Sequence, residues 1–526
     1  MARTDPWWSG HGGYAARIMS ALAAEPDRTA VHWRGRAVGA ADFAGAVTGT
    51  ARTLREHGVG PGRVLGVLVA PNSPDMLSAR YAAHLVGAAV CYLRSTNAGS
   101  TGPVLSADEQ LRILLDTGAA ALLADAENEE RARTLVERAR GRIALLGAAE
   151  ARSVREEPGP AAAWDPPAPA VIGLTSGSTG RPKGILLSAR GWTSRVEAAM
   201  ASSTPGEEVR ILVVTPLSHT VGPMADAVLA SGGSVLLHER MRPEEVLRAV
   251  EEHRVTRTYL ATPHVYELAD RYRADGGDLS SLRQVVYGGC PASPTRIVEA
   301  AELLGPVLVQ GYGASESGRM TFLGPHDHLD PETAGTVGRP FPGVRIKVCR
   351  PGTDQEAPAG ETGEVCVSSP HLMEGYWGDP ARTARTLRGG WYHTGDLGHL
   401  DAQGRLHLLG RIADVVKTEG IKVYPAIVER EILRMPAVAQ AAVYGVRDES
   451  DIEHVHAAVV PRAGARVTAE EVRDRVGAAL SGLHAPEEVL LLDAMPLSTS
   501  GKPDRSLLRR KSSALVGTAS GRWSQT

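Results

Sequence analysis

The segment from Val171 to Gly184 reads VIGLTSGSTGRPKG, an apolar strand followed directly by a loop of glycine and hydroxyl residues. Such residues let backbone N–H groups converge on phosphate oxygens, and a lysine adds a positive charge at the end of the loop. The pattern predicts a polyphosphate cradle made of Thr175, Ser176, Gly177, Ser178, Thr179, Gly180 and Lys183. It is not a Walker A loop, because Pro182 precedes the lysine and Gly184 follows it. A P-loop kinase is therefore disfavoured, and the alternative to a cradle is a flexible Ser/Gly loop.

On both sides of this segment, from about Val31 to Leu308, short Val/Leu/Ile-rich runs alternate with amphipathic stretches of helical period. This alternation is the β-α-β rhythm of a mostly parallel sheet. The predicted strands are 64–69, 120–124, 171–174, 211–214, 235–237, 258–261 and 285–287, and the predicted helices are 41–57, 75–87, 243–253 and 294–304. The fold class is therefore α/β.

After Gly335 the sequence pattern changes to short strand-like runs separated by glycine and proline, which predicts a small β-rich subdomain. Past Gly410 the pattern is mixed again, as in an α+β unit. We therefore expect a large N-terminal domain at 1–410, with mostly parallel sheets flanked by helices, and a small mobile C-terminal domain at 411–526. The polar tail from Ser512 is expected to fray.

Composition narrows the functional classes. The 526 residues are 43% hydrophobic and 22% charged, as in globular proteins, and the net charge of -3 gives no footprint for nucleic acid or an anionic membrane. The four cysteines are too widely spaced for a zinc ribbon or a C-x-x-C redox pair. No apolar stretch has the length of a signal peptide or a membrane span. These features predict a cytoplasmic protein without a membrane span or nucleic-acid partner.

Lysine is rare in this chain, since almost all cationic residues are arginine. The six lysines are Lys183, Lys347, Lys417, Lys422, Lys502 and Lys511. Arginine cannot replace a compact ammonium where reach and point charge matter, so a lysine inside a motif is a candidate functional residue.

Six motifs follow the glycine-rich loop in chain order: TPLSHTVG at 215–222, YGGCP at 287–291, GYGASE at 311–316, HTGD at 393–396, GRIADVVK at 410–417 and PLSTSGKPDR at 496–505. GYGASE, read as a strand-end turn, places an aromatic ring, a hydroxyl and a carboxylate side by side, which suits adenine stacking, a phosphate contact and Mg²⁺ coordination. Taken alone, each motif also has a structural explanation, such as a solvated turn or a capping histidine.

The ordered series resembles the adenylate-forming superfamily, which contains acyl- and aryl-CoA ligases, peptide-synthetase adenylation domains and beetle luciferases. The resemblance extends from Thr175 to Arg505 and is closest to a stand-alone acyl-CoA ligase. It implies ATP-dependent activation of a carboxylic acid to an acyl-adenylate, with release of pyrophosphate. Transfer to a thiol would follow, either that of coenzyme A or the phosphopantetheine arm of a carrier protein.

The resemblance also implies roles in nucleotide binding. Tyr312 would stack on adenine, Ser315, where threonine is usual, would contact the α-phosphate, and Glu316 would hold Mg²⁺. Asp396 would accept hydrogen bonds from the ribose hydroxyls. Lys502 would reach across the domain cleft to the carboxylate and α-phosphate, where negative charge accumulates. The other nucleotide-site residues implied are Gly289, Cys290, Pro291, Gly311, Gly313 and Arg411.

An acyl pocket is expected beside the nucleotide. The resemblance assigns it to His219, Gly222, Gly288, Gly289, Gly313 and Ala314, with His219 placing the substrate rather than transferring protons. Peptide-synthetase domains for α-amino acids carry an aspartate near the start of the helix after this histidine. The residues here run from Thr220 to Met224 without an acid. Because an unpaired ammonium is costly to bury, the expected substrate is an aryl, fatty or polycyclic acid without an α-amino group.

The boundary motif departs from the family pattern. Its hinge position usually holds Asp or Lys, but here it holds Ala413, followed by Asp414. Either the pivot has moved by one residue, or the rotation that prepares the second half-reaction is altered. An ordinary loop aspartate explains Asp414 equally well.

Four other functions remain open from the sequence. The chain could stop at adenylation, or load the acyl group onto a carrier protein. A non-catalytic nucleotide- or acyl-binding module is disfavoured by intact Lys502, Glu316 and Asp396. A luciferase-like oxygen-dependent activity is the most remote.

Overall fold

A computed structural model describes residues 5–93, 105–176, 182–202, 206–418, 420–448, 450, 452–462, 464–497 and 503–520. Four of the predicted cradle residues, Gly177, Ser178, Thr179 and Gly180, lie outside these ranges, and so does Lys502.

The strands of the N-terminal part, in chain order, are β1 (Thr29–Trp33), β2 (Arg36–Gly39), β3 (Val64–Leu68), β4 (Ala89–Tyr92), β5 (Ala119–Ala124), β6 (Ala144–Gly147), β7 (Pro169–Ser176), β8 (Pro182–Ser188), β9 (Arg210–Val213), β10 (Ser234–Leu237), β11 (Arg257–Ala261), β12 (Gln284–Gly288), β13 (Leu308–Ala314), β14 (Gly318–Leu323) and β15 (Arg339–Pro340). The later strands are β16 (Arg345–Cys349), β17 (Gly363–Ser368), β18 (Gly375–Tyr376), β19 (Leu387–Arg388), β20 (Trp391–Leu400), β21 (Leu406–Arg411), β22 (Val416–Thr418), β23 (Ile421–Val423), β24 (Val438–Arg447), β25 (Glu453–Pro461) and β26 (Glu488–Leu491).

The α-helices are α1 (Tyr14–Ala24), α2 (Ala40–Glu56), α3 (Pro74–Leu85), α4 (Ala107–Asp116), α5 (Glu129–Arg138), α6 (Ala148–Ser153), α7 (Ala189–Met200), α8 (Val221–Ala230), α9 (Pro243–His253), α10 (Thr262–Asp275), α11 (Pro294–Leu304), α12 (Pro331–Ala334), α13 (Pro380–Thr386), α14 (Pro425–Leu433), α15 (Ala469–Ala479) and α16 (Arg505–Ser520). Short 3₁₀ turns lie at Ala126–Asn128, Pro325–Leu329, Ile412–Asp414 and Gly482–His484.

Two large sheets form the N-terminal part. One has the order β15-β14-β13-β12-β11-β9-β10-β1-β2 and the other β18-β8-β7-β4-β3-β5-β6. The inner pairs, such as β11 with β12 and β12 with β13, are parallel, and antiparallel pairs lie at the edges. A buried apolar cluster packs residues of both sheets together around α1, α2, α3, α7 and α8. The carboxyl ends of β12 and β13 therefore carry two of the predicted motifs, as ligand sites in such sheets require.

Beyond β15 the chain forms a five-stranded sheet in which β16, β17, β20, β19 and β21 pair antiparallel. The C-terminal part has a three-stranded sheet, β24-β25-β26, with α14 and α15 packed against its apolar core. The predicted α/β class, with a β-rich unit and a small α+β C-terminal part, is confirmed. The boundary predicted at Gly410 to Asp414 coincides with the 3₁₀ turn at Ile412–Asp414, and its role as a domain boundary stays a prediction.

Local chemistry explains why α11 starts directly after the YGGCP motif. The Ser293 hydroxyl accepts a hydrogen bond from the Arg296 N–H, Pro294 occupies the first turn, and Gly305 ends the helix at φ 79°. An N-cap serine and a proline in the first turn are favourable because the first N–H groups of a helix lack partners within it. The helix start thus fixes the position of the preceding glycine turn.

Two expectations about local structure differ from the structure in part. The tail predicted to fray from Ser512 is helical to Ser520 in α16, and the buried Ser512 hydroxyl hydrogen-bonds to that of Tyr444 at 2.9 Å, while the rest of the tail lies outside the described residues. The GYGASE motif is not a turn throughout, since β13 extends to Ala314 through its antiparallel pairing with β14. Among the described residues, no helix is both long and apolar enough to cross a membrane.

A buried ion pair joins α3 to α8. The Arg80 guanidinium contacts the Asp226 carboxylate, and both side chains are fully buried. Asp226 also accepts hydrogen bonds from the Tyr81 hydroxyl at 2.6 Å and the Trp192 indole N–H at 2.9 Å. Breaking such a pair would leave an uncompensated buried charge. The role of Asp226 is therefore structural, since it holds α8 in place.

His84 makes the stability of this core depend on pH. Its Nε2–H donates to the Ala170 carbonyl at 2.9 Å and its Nδ1 accepts from the Tyr14 hydroxyl at 2.9 Å, while burial lowers its pKa to about 3. Below pH ~6.5 the unfolded chain therefore takes up a proton that the folded chain does not. We expect this histidine alone to reduce the free energy of unfolding by about 2 kcal/mol between pH 7.5 and 5.0.

The measurement is denaturant unfolding at both pH values for the natural chain, His84→Gln and the control His57→Gln, whose side chain is exposed. The first variant should lose less stability on acidification than the natural chain, and the control should lose the same amount. An identical pH dependence in His84→Gln would contradict the assignment.

Candidate active site

The glycine-rich segment is a hairpin. β7 and β8 pair antiparallel with Thr175 opposite Lys183 and Ser176 opposite Pro182. Strand pairing therefore includes both ends of the predicted loop and leaves only 177–181 between the strands. Thr175 and Lys183 are both half-buried at the mouth of this hairpin.

Lys183 faces a mixed set of charges from distant parts of the chain. Partial burial and the positive charge of Arg382 lower its pKa, and the negative charges of Glu316 and Asp379 oppose this effect. Lys183 and Glu316 thus share one electrostatic environment, although 133 residues separate them. An anionic ligand placed here would meet one cation from the hairpin and another from α13.

The turn at Glu316 is held from three directions. Its carboxylate Oε1 accepts a hydrogen bond from the Tyr376 hydroxyl at 3.0 Å, and its carbonyl accepts from the Met373 N–H at 2.6 Å. The Arg195 guanidinium donates to the neighbouring Ser315 carbonyl at 2.9 Å. This turn between β13 and β14 leaves Ser315 exposed and Glu316 half-buried, so a hydroxyl and a carboxylate stand together at the sheet edge.

A second polar group lies at the ends of β13 and β21 and in the middle of β20. The Tyr312 hydroxyl donates to Asp396 Oδ2 at 2.6 Å, and Arg411 Nε lies 3.0 Å from Asp396 Oδ1. Asp396 and Arg411 are direct partners in the β20–β21 ladder, and the Arg411 side chain is 55% exposed. An aromatic ring, a carboxylate and a guanidinium therefore converge where a nucleoside would need stacking, a hydroxyl acceptor and a phosphate contact.

The glycines of the motifs fall into two kinds. A Cβ at Gly288 would lie 2.2 Å from the Gly311 carbonyl, and one at Gly313 would lie 2.4 Å from the Gly318 carbonyl, so strand packing explains these two. Gly289 has φ 95° and faces open space. Its conformation, which other residues rarely adopt, turns the chain away from β12 towards Cys290 and Pro291. Gly311, by contrast, has room for a side chain at ordinary contact distance.

His219 lies beside the predicted acyl pocket. Its Nδ1 hydrogen-bonds to the Ser218 hydroxyl at 2.8 Å, and burial lowers its pKa to about 4. The ring is therefore neutral near pH 7, and its role in placing the substrate stays a prediction. A Cβ at Gly222 would lie 2.3 Å from the Leu217 carbonyl, so this glycine is required by the turn that presents His219.

Tyr259 joins this region without any motif to signal it. Burial raises its pKa to about 12, and a hydrogen bond to Thr220 partly offsets the rise. The Thr262 hydroxyl donates to the Cys290 carbonyl at 3.1 Å and thereby ties the glycine turn to α10. The sequence reasoning missed Tyr259, Tyr376, Arg195 and Arg382, because each meets its motif only through the tertiary fold.

The C-terminal motif is described only at its edges. Leu497 and Pro503 form an antiparallel bridge, which brings together the two ends of the segment that contains Lys502. Arg505 Nη2 donates to Glu429 at 2.6 Å and Nη1 lies 3.8 Å from the Asp414 carboxylate. Arg505 therefore fixes the start of α16 to α14 and to the hinge motif.

At the hinge motif, Ala413 is exposed and Asp414 is half-buried. The Asp414 carboxylate faces Arg505 and Arg509, each at 3.8 Å. Asp414 therefore faces two cations of α16, and its role as a pivot stays a prediction. The sequence left the alternative of an ordinary loop aspartate open, and the choice between a displaced pivot and an altered rotation stays open.

Together these groups form a nucleotide-compatible site near the carboxyl ends of β12 and β13. The AMP-binding enzyme family matches residues 19–377, and the AMP-binding enzyme C-terminal domain matches residues 428–502. The chain belongs to the AMP-binding enzyme family, and the predicted membership of the adenylate-forming superfamily is confirmed.

Individual relatives cover nearly the whole chain. The feruloyl-CoA synthase of Amycolatopsis sp is 34% identical over 497 residues, 92% of this chain and 96% of the relative. The medium/long-chain-fatty-acid–CoA ligase FadD8 of Mycobacterium tuberculosis is 33% identical over 489 residues, 88% of this chain and 84% of the relative. The solved amide bond synthetase McbA from Marinactinospora thermotolerans superposes with a TM-score of 0.84 at 35% identity, covering 96% of this chain and 99% of that one.

Proposed function

We propose that this protein activates a carboxylic acid with ATP to an acyl-adenylate, releases pyrophosphate, and transfers the acyl group to the thiol of coenzyme A. The observation that carries the proposal is the convergence of Tyr312, Asp396 and Arg411 beside the Glu316 turn in a chain of this family. Relatives named as CoA ligases over most of the chain support the thiol acceptor.

The residues present suit ATP with Mg²⁺. Glu316 offers a half-exposed carboxylate whose Oε1 is oriented by Tyr376, and oxygen is the ligand atom that Mg²⁺ prefers. Bound there, Mg²⁺ would neutralise phosphate charge. Tyr312 would support the adenine ring, Asp396 would accept from the ribose hydroxyls, and Arg411 would bind ribose or phosphate.

The chemical difficulty is electrostatic, since a carboxylate anion must attack a phosphate anion. Positioning and cationic stabilisation are then the main contributions that the protein can make. Lys183 on the hairpin and Lys502 on the C-terminal segment are the cations that we assign to this role. His219, neutral at pH 7, would close the wall of the acid site.

The acid is proposed to lack an α-amino group. The acid on α8 is Asp226, but both of its oxygens are occupied by Arg80, Tyr81 and Trp192 in a fully buried cluster. It is thus unable to pair with a substrate ammonium. Aryl, fatty and polycyclic acids are all compatible with this argument.

The test is acid-dependent exchange of labelled pyrophosphate into ATP, screened over aryl, fatty, polycyclic and α-amino acids. Exchange should appear with an acid of the first three classes and should require both Mg²⁺ and the acid. ATP binding without exchange for any acid would instead indicate a non-catalytic binding module.

A second candidate function differs in the acceptor. An amide bond synthetase matches 96% of this chain at 35% identity, which favours an amine as a possible acceptor. The two are distinguished by offering coenzyme A, a phosphopantetheine carrier protein and simple amines to the preformed adenylate, with mass spectrometry of the product. Thioester formation supports the main proposal, and amide formation in the absence of thiol supports the second.

The hinge affects the second step only. If Ala413 weakens the domain rotation, thioester formation should be less efficient than pyrophosphate release with the same acid. Assays quenched at set times, in which thioester and pyrophosphate are quantified from one reaction mixture, measure the ratio of the two products. Matching efficiencies would favour a displaced pivot at Asp414.

A further inference from the structure

A cluster of potential metal ligands lies next to the HTGD segment of β20, outside the site described above. Glu364 and Cys366 on β17 and His393 on β20 offer ligand atoms that all lie within 4.8 Å of one another. Cys366 Sγ is 3.4 Å from His393 Nδ1, and that nitrogen is 3.1 Å from Glu364 Oε2. All three residues are buried.

A second sulfur lies next to this cluster. In the β16–β17 ladder, Cys349 is opposite Glu364 and Lys347 is opposite Cys366. Because side chains alternate along a strand and partners share a face, both cysteines point to the face that carries Glu364. Both thiols are fully buried. The cluster itself therefore offers one sulfur, one imidazole nitrogen and one carboxylate oxygen, and a shift of the Cys349 side chain on the same face would supply a second sulfur.

The hydrogen bonds at His393 Nδ1 are in conflict. The Glu364 carboxylate, which only accepts, is 3.1 Å away, and the Arg388 guanidinium, which only donates, is 2.7 Å away. A protonated Nδ1 satisfies the carboxylate and opposes Arg388, whereas an unprotonated Nδ1 does the reverse. A cation between the nitrogen and the carboxylate would satisfy both of these atoms.

The other imidazole nitrogen has the partner that metal-bound histidines usually have. His393 Nε2 lies 3.1 Å from Asp354 Oδ1, and Arg388 Nε lies 3.1 Å from the same oxygen. A carboxylate that accepts from the distal nitrogen fixes the tautomer with Nδ1 free to bind a metal. Arg388 and Asp354 are partly exposed, at 30% and 65%, so they form the solvent side of the cluster and an entry path for an ion.

We propose that Cys349, Cys366, His393 and Glu364 bind one Zn²⁺ ion. Tetrahedral zinc with sulfur at about 2.3 Å and nitrogen or oxygen at about 2.0–2.2 Å places neighbouring ligand atoms roughly 3.3–3.8 Å apart. The two separations at His393 Nδ1, 3.4 Å to Cys366 Sγ and 3.1 Å to Glu364 Oε2, are close to this range. Binding releases one proton from each thiol, so the two charges gained equal the two lost. The surrounding charges of Lys347, Arg388, Glu364 and Asp354 remain balanced.

The proposed zinc site supports the neighbouring HTGD segment. Glu364 Oε1 accepts the Gly395 N–H at 3.1 Å, and the next residue is Asp396. An ion that fixes Glu364 and His393 would therefore also fix the backbone at Gly395 and Asp396. The ion is structural in this proposal, and the acid-activation chemistry does not depend on it.

The first experiment measures metal in the full chain. The protein is purified without chelators, incubated with Zn²⁺, desalted and analysed by inductively coupled plasma mass spectrometry. We expect about one zinc per chain, falling to roughly a tenth or less in Cys366→Ala and Cys349→Ala, as expected when a thiolate ligand is lost. Cys91→Ala, which removes a buried thiol elsewhere, should retain the metal. Asp354→Asn should weaken zinc affinity by about 10–100-fold in competition with a chromophoric chelator.

A second measurement does not depend on the folding of variants. Replacement of zinc by Co²⁺ in the natural chain should give a thiolate-to-cobalt charge-transfer band, and thiol titration should show two cysteines protected until the metal is chelated. Zinc below roughly a tenth of an equivalent with no cobalt band would overturn the proposal. So would full metal retention in both cysteine variants, or a disulfide that consumes Cys349 and Cys366.

Discussion

Replacing Lys502 by alanine is expected to lower acid-dependent pyrophosphate exchange by about 10²–10³-fold while ATP binding stays measurable, because one preorganised charge contact is lost where charge accumulates. The residues that flank this lysine support the expectation. Leu497 bridges Pro503, and Arg505 pairs with Glu429 and the hinge residue Asp414, so both ends of the segment are held close to the hinge motif. The measurement combines exchange kinetics with calorimetric titration of ATP.

Lys511→Ala is the matched control, since this lysine is exposed on α16 within the same C-terminal part. It should leave exchange within about twofold of the natural chain, as surface substitutions usually do. Full activity in Lys502→Ala would remove this lysine from the mechanism. A loss of both exchange and ATP binding would point to misfolding of the C-terminal part, which circular dichroism would detect.

Asp396→Asn is expected to reduce kcat/KM for ATP by about 10²-fold, because hydrogen bonds to a charged acceptor contribute roughly 1.5–3 kcal/mol each. The substitution keeps the size of the side chain and removes its charge. It also deprives Arg411 of its ion pair at 3.0 Å and weakens the acceptor for the Tyr312 hydroxyl. The effect should appear mainly in ATP affinity, measured by titration and by the dependence of exchange on ATP concentration.

The control for this change is Asp27→Asn, an exposed carboxylate in the turn before β1. It should leave the ATP dependence unaltered. An unchanged kcat/KM in Asp396→Asn would show that the ribose is held elsewhere. A rise in KM for the acid alone would move Asp396 from the nucleotide to the acyl side of the site.

The strands and motifs were predictable because their signals are local. The run VIGL before TSGSTG predicts β7 to within two residues at each end, and the resemblance of HTGD to a family motif indicates a carboxylate acceptor at Asp396. GYGASE was interpreted as a turn because glycine and serine favour turns. Pairing with β14 extended β13 to Ala314 and moved the turn to Ser315.

The partners of these motifs were not predictable, because their proximity depends on topology. Tyr376 reaches Glu316 through a two-residue strand that pairs with β8, and no periodicity marks it. Arg195 on α7 meets the Ser315 carbonyl across 120 residues of sequence. Cys349 and Cys366 looked unrelated at their spacing and became neighbours only through the register of β16 with β17.

The close approach of Gly288 to the Gly311 carbonyl has a consequence for attempts to redirect acid specificity. A larger residue at Gly288 would push two central strands apart, so libraries that randomise it should yield mostly insoluble clones. Tyr259 lies on the neighbouring strand β11, and a smaller residue there would not change the contact between Gly288 and Gly311. Engineering of this scaffold should therefore begin at Tyr259 and leave Gly288 unaltered.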